Sequence, residues 1–355
     1  MKRNIGIDAL KILSMFMIVI LHILGQGGIL ATLPQFSMRY NISWLLEIMC
    51  LCSVNCFAIA SGYLSADRQY TYKGIINLWL QVIFYSLVLI GIMKFVTPET
   101  INYTYITKAF LPTMAHSYWY FTAYFGLYLF MPLLNIIIDK TPKMVLFSSL
   151  FFILSFTSIG GLFNSNFLWE AGGYSTIWLM IMYLIGGMVK KYKIRSKDCL
   201  RNIFYFLIFC GINFFLKLVI EKFFSGTLYL GNLNYTLVNY TSPFLVLASI
   251  HLFMFFEQYV PKKKINKKVI VFFAPLSFGV YLIHTNAAIW ENVMKNNFIF
   301  ITNYLSFKFV LLIFMSAILI FVGCAFIDYF RIKLFKICRL NILVDKIEKK
   351  INSIF

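Results

Sequence analysis

The sequence predicts an all-α, polytopic membrane helix bundle of about ten transmembrane helices, with both termini on the cytoplasmic side. Three observations carry that expectation. Of 355 residues, 61% are hydrophobic and 13% charged, whereas soluble domains hold roughly 45–50% apolar and ~25% charged residues; mean hydropathy is +0.80. Apolar runs near the ~20 residues needed to cross a bilayer as a helix recur along the chain. Lys and Arg fall in alternate gaps between those runs, as topology signals do. Such a surface cannot be solvated by water, which excludes a soluble enzyme, a disordered chain and a nucleic-acid binder. The net charge of +19 is therefore read as membrane topology, with membrane lipids as partners and no nucleic acid.

The apolar segments lie at about 5–25, 43–64, 75–96, 118–138, 143–163, 175–189, 200–220, 241–260, 269–290 and 305–330. The first is too long for a secretory signal and lacks a small-x-small cleavage site. The second ends in Asn55 to Tyr63, where Ser61 and Gly62 suit close helix packing. The fourth opens on His116, Ser117, Tyr118, Trp119 and Tyr120 and continues through Tyr124 and Tyr128. The sixth is short; the eighth holds His251, read as structural. With the N-terminus inside, the inner segments hold 24 Lys and Arg and the outer loops four. Positive charge marks the cytoplasmic side, so the chain is oriented and the number of spans is even. Residues 1–335 are expected to form one transmembrane domain, with 336–355 a basic cytoplasmic tail. The stretch 331–355 reads as a basic amphipathic helix on the inner surface. Seven cysteines show no CxxC or metal spacing and read as small buried hydrophobes; no metal is expected.

Ionisable residues inside spans are costly and mark candidate sites. The first span carries Asp8, Lys11 and His22. Asp8 and Lys11 can pair at i, i+3. Lys11 and His22 are eleven residues apart; at 100° per residue they share a face, roughly 16 Å apart along the axis. Lys11 either serves a site or snorkels to the inner surface. In the ninth span Ser277, Tyr281 and His284 share a stripe. His284 is expected at the depth of His22, where two imidazoles could share a pocket. Trp119, Tyr120 and Tyr124 form either an interface belt or a sugar-binding mouth. Glu47, Glu170 and Glu291 lie near the outer face, and spacing does not choose among them. Walker, dinucleotide-binding, HExxH and GxSxG motifs are absent.

Four patches in order resemble the integral-membrane acyltransferase-3 family: Arg3 to Leu13 closing on His22; Phe57 to Leu64; Trp119 to Tyr124 with Tyr128 and Pro132; and Tyr281 to His284. The family usually carries Arg, ten residues, then His in its first helix; here Lys11 holds the first position, keeping the charge without the planar fork. The resemblance implies transfer of an acyl group, most often acetyl, from cytoplasmic acyl-CoA to a hydroxyl of an envelope glycan, lipid-linked or free, in a bacterial plasma membrane. Acetyl-CoA is then a substrate and no resident cofactor is implied. Within that frame His22 is the expected base or acylated nucleophile, because imidazole titrates near neutrality. Lys11 would neutralise donor charge, Asp8 would hold Lys11, and Tyr281 or His284 would orient the reacting groups. Trp119, Tyr120, Tyr124 and Ser61 would bind substrate, with capsule or exopolysaccharide the favoured acceptor. Two other readings compete: a secondary transporter, disfavoured by the lack of an internal repeat, and a racemase-associated membrane domain, disfavoured by the lack of a soluble domain.

Overall fold

A computed structural model describes residues 3–66, 68–96, 103–115, 117–163, 168–169, 171–196, 198–227, 231 and 233–353. Asn4 caps the first helix, α1 (Ile5–Leu24), its side chain accepting from the Ile7 amide. Gly28, at φ +89°, turns the chain into the single turn α2 (Ile29–Thr32). Ser37 caps α3 (Met38–Ser65). There follow α4 (Lys73–Val96), α5 (Tyr103–Phe110), α6 (Trp119–Lys140) and α7 (Lys143–Leu162). Ser175 caps α8 (Thr176–Lys191), and Asp198 caps α9 (Cys199–Phe223). Then come α10 (Leu233–Leu237), α11 (Pro243–Gln258), α12 (Lys264–Phe273), α13 (Ser277–His284), α14 (Ala287–Ile289), α15 (Ser306–Ile337) and α16 (Leu340–Asn352). No strand occurs among the described residues.

Helix covers each of the ten expected segments. Among the described residues, eight stretches are long and apolar enough to cross a membrane: Ile5–Thr32, Met38–Ser65, Lys73–Val96, Trp119–Lys140, Lys143–Gly160, Cys199–Phe223, Lys264–His284 and Phe307–Ile337. The other two segments are the 16-residue helices α8 and α11. At 1.5 Å per residue each is about 24 Å long, shorter than a ~30 Å hydrocarbon core. Both are interior helices, and protein neighbours supply the apolar surroundings that lipid would otherwise provide. Trp178, Met182 and Tyr183 of α8 are fully buried.

The bundle is organised around α3, which packs on α8, α1, α11 and α9. Its crossing with α8 brings backbones together: a Cβ on Gly62 would lie 1.9 Å from the Tyr183 carbonyl oxygen, and one on Gly186 would lie 2.0 Å from that of Ile59. Gly62 thus fills the packing role its sequence suggested. Trp178 Nε1 donates to Asn55 Oδ1 at 2.8 Å, and Asn55 Nδ2 donates to the Tyr240 carbonyl at 2.9 Å. These contacts pair buried polar groups that would be expensive to leave unpaired in a dry interior.

Two local expectations are corrected. The ninth span is broken: a 3₁₀ turn at Ala274–Leu276, holding Pro275, separates α12 from α13, and α13 ends at His284. Asn286 then restarts the helix by accepting from the Ala288 amide. The amphipathic tail does not begin at residue 331. Helix α15 runs on to Ile337, and the break lies at Cys338–Arg339, where Arg339 has φ +52°. Arg331 is buried and grips the fully buried Asp328 through two bonds of 2.9 and 2.8 Å.

Candidate active site

Helical phase delivers Lys11 and His22 to the same interior space. A chamber of about 220 Å³ runs beside α1, lined by Lys11, Met15, Ile18 and His22 from that helix. Ser61 of α3, Trp119, Tyr120 and Tyr124 of α6, and Ser277 and Tyr281 near the kink close it. A second chamber, about 470 Å³, holds His22, Glu47, Tyr118, Trp119, Tyr174, Tyr240, Tyr281 and Trp290 in its wall. His22, Trp119, Tyr240 and Tyr281 belong to both. The imidazole of His22 therefore stands at the junction of two compartments. One reaches toward the bundle end that carries Lys11, the other toward the opposite end.

His284 sits at the last turn of α13, fully enclosed. Its Nδ1 lies 2.5 Å from the Val280 carbonyl oxygen. A carbonyl can only accept, so His284 Nδ1 carries hydrogen and Nε2 of the neutral ring does not. His22 Nδ1 lies 2.9 Å from that Nε2. It follows that His22 donates through Nδ1, and its own Nε2 keeps a lone pair. A single backbone carbonyl thus sets the tautomers of both rings. Trp290 packs edge-on against His22, ring centroids 4.7 Å apart at 86°, and limits rotation about its side-chain bonds. This arrangement can hold a neutral imidazole ready to take a proton from whatever enters either chamber.

A family model described as an acyltransferase domain, of the acyltransferase-3 type, matches residues 4–333. The chain belongs to this acyltransferase family. No curated protein and no solved structure gives a significant match. The described helices and the family together make this acyltransferase a multi-pass membrane protein.

Of the residues singled out in the sequence, the acyltransferase brings His22, Lys11, Tyr281, Trp119, Tyr120, Tyr124 and Ser61 to the chamber walls. His284 stands directly behind His22. Ser61 Oγ donates to the Phe57 carbonyl at 2.9 Å and meets the Tyr124 hydroxyl at 3.5 Å. Asp8 departs from expectation. Its carboxylate is ion-paired with Arg3 rather than Lys11 and lies outside the chamber walls. Arg3, ahead of the Asn4 cap, reaches the first turn with a planar fork suited to carboxylate. Lys11 is left in the chamber wall, with no hydrogen bond or ion pair to it among the described residues. Asp8 still acts on it electrostatically, and Arg68 and Arg3 also lie within its electrostatic reach.

Among the acidic candidates, Glu291 is an exposed partner of Lys295 at 2.6 Å. Glu170, like His116, lies outside the described residues. Glu47 lines the larger chamber. His251 Nδ1 is 3.0 Å from Asn202 Oδ1 and is stacked on Phe209, consistent with the structural role expected of it. Tyr118, named in the sequence at the opening of the fourth segment, also lines the larger chamber; sequence reasoning missed Tyr174, Tyr240 and Trp290, which arrive from loops and short turns with no periodicity to reveal them. The Val280 carbonyl left no sequence signal at all, since every residue has one.

Proposed function

We propose that this acyltransferase is an O-acetyltransferase. It moves acetyl from cytoplasmic acetyl-CoA to a hydroxyl of a cell-envelope polysaccharide, with capsule or exopolysaccharide favoured, in the bacterial plasma membrane. The observation that carries the reading is the place of His22, in the wall shared by two chambers and with its Nε2 lone pair fixed by His284.

In this reading the donor enters from the end that carries the Lys- and Arg-rich loops. Lys11, with Arg3 and Arg68 nearby, faces the anionic part of acetyl-CoA. The thioester lies along α1 toward His22, roughly 16 Å further on, a distance an extended pantetheine arm covers. The acceptor hydroxyl comes from the second chamber. His22 Nε2 takes the hydroxyl proton while the oxygen attacks the thioester carbonyl carbon. The new C–O bond forms, the C–S bond breaks, and the departing CoA sulfur recovers the proton from His22. The proton balance closes without a further reagent. Tyr120, Tyr124 and Tyr281 line the path and supply hydroxyls to the developing oxyanion.

The test is acetyl transfer from labelled acetyl-CoA to a polysaccharide fraction by the reconstituted chain. His22→Ala should lower the rate about 10²- to 10⁴-fold at unchanged protein level. Retained turnover would overturn the assignment. Solute uptake by vesicles lacking acetyl-CoA would favour transport instead.

A further inference from the structure

Glu47 is a carboxylate that the fold leaves incomplete. It projects from α3 into the wall of the larger chamber. Its Oε2 is buried and has no hydrogen-bond partner among the described residues. The other described carboxylates at this end are matched: Glu221 by Lys217 at 2.6 Å and by the Tyr40 hydroxyl, and Glu291 by Lys295. A buried carboxylate without partners costs several kcal/mol, so a fold that keeps one facing a cavity keeps it for something that enters the cavity.

The walls say what kind of molecule that is. Trp119 and Tyr174 rings lie 4.5 Å apart, Trp119 stacks on Tyr240 at 6.0 Å, and Trp290 closes the side next to His22. Tyr174 and Tyr240 are within electrostatic reach of Glu47. Broad aromatic faces beside one bare acceptor suit a ring with an apolar C–H face and several hydroxyl donors. The chamber volume of about 470 Å³ falls in the range of small-molecule sites.

We infer that Glu47 is the acceptor-binding residue of the outer chamber, where its carboxylate accepts hydrogen bonds from neighbouring hydroxyls of a pyranose ring stacked on the Trp119, Tyr174 and Tyr240 walls. Held there, the ring presents a different hydroxyl to His22 Nε2. Glu47 then selects which sugar and which hydroxyl is acylated. The inference rests on the glycan reading above and adds to it the residue that recognises the sugar.

The experiment uses the full chain in lipid nanodiscs with labelled acetyl-CoA. The acceptors are methyl β-glycosides of glucose, galactose, N-acetylglucosamine and glucosamine, with monodeoxy derivatives of the best one. Glu47→Gln should raise the acceptor KM about tenfold or more and leave kcat, the donor KM and the pH profile near wild type. Glu47→Asp should recover part of the loss. Removing the hydroxyl that Glu47 binds should cost the wild type the same factor and cost Glu47→Gln nothing further. An unchanged acceptor KM in Glu47→Gln overturns the inference and leaves the glycan reading standing. So does a moved pH profile at constant KM, which would place Glu47 behind His22, and so does a clear preference for the free ammonium of glucosamine. A wild-type chain that acylates none of these sugars removes the glycan reading, and the inference falls with it. If the variants fail to accumulate, the wild type suffices. Carbodiimide modification of Glu47, read by mass spectrometry, should be slowed by the best glycoside and not by CoA; the absence of protection overturns the proposal.

Discussion

A backbone carbonyl sets the chemistry of the imidazole pair. Because the Val280 oxygen occupies His284 Nδ1, the second ring can only receive from the first, and His22 is held in the tautomer that leaves Nε2 basic. Removing the receiver should therefore cost more than a packing defect. His284→Leu is expected to lower kcat about a hundredfold or more, as loss of tautomer control does in other imidazole-based sites, while the donor KM changes little. His284→Gln keeps an acceptor oxygen and should recover part of the rate. Equal stability of the two variants, measured by thermal melting in detergent, with unequal rates would separate positioning from packing. Much of this pair was legible in advance. The eleven-residue spacing put Lys11 and His22 on one face, and span depth put His284 level with His22. The Asp8 partner was not legible, because i, i+3 spacing made Lys11 available but said nothing about Arg3 folding back across the helix cap.

Between elements, the sharpest constraint is the crossing of α3 and α8. Both glycines at the contact face carbonyl oxygens of the other helix, Gly62 that of Tyr183 and Gly186 that of Ile59. A methyl group at either position forces the axes apart, and Tyr63 and Ser61, adjacent to Gly62, move with α3. Gly62→Ala is expected to destabilise by about 1–3 kcal/mol, the usual cost of overpacking, and to lower the melting temperature in detergent. An unchanged melting temperature would mean that the helices sit further apart than described. Small residues on an apolar segment announce such crossings in sequence. The break after His284 is not announced. The residues that follow, Ala287, Ala288 and Ile289, continue the apolar run, and only the side chain of Asn286, accepting from the Ala288 amide, marks the new start. Helix α15 hides the opposite case. Asp328 and Arg331 look like the edge of the membrane segment, but paired at i, i+3 and joined by the Tyr85 hydroxyl at 2.8 Å, they are carried inside the bundle.

Across the whole molecule, contacts sort the loops into two ends, and charge separates them. At one end Arg3 pairs with Asp8, Lys191 Nζ donates to the carbonyls of Ile138 and Asp139 at 2.6 Å, Arg195 meets Glu257 at 2.8 Å, and Lys73 pairs with Asp345 of α16. At the other, Arg39 is held by the Thr302 and Tyr304 carbonyls, the Asn296 amide donates to the Gln26 carbonyl at 2.9 Å, and Asn286 donates to the Tyr118 hydroxyl at 2.9 Å. The basic loops gather at the first end, where an anionic cytoplasmic donor would be attracted, and the aromatic chamber opens toward the second. The positive-inside rule then assigns the first end to the cytoplasm. Parity makes that assignment testable, because one span more or fewer would put the C-terminal helix on the other side. Cys338 is exposed at the junction of α15 and α16, and Lys295 is exposed at the opposite end. In a Cys199→Ser background, a membrane-impermeant maleimide should label Cys338 in inside-out vesicles and spare it in right-side-out ones. A Lys295→Cys chain that also carries Cys338→Ser should show the reverse. Labelling of Cys338 from the outer face would invert the bundle, place Lys11 on the side away from cytoplasmic acetyl-CoA, and break the direction of transfer on which the two-chamber mechanism depends.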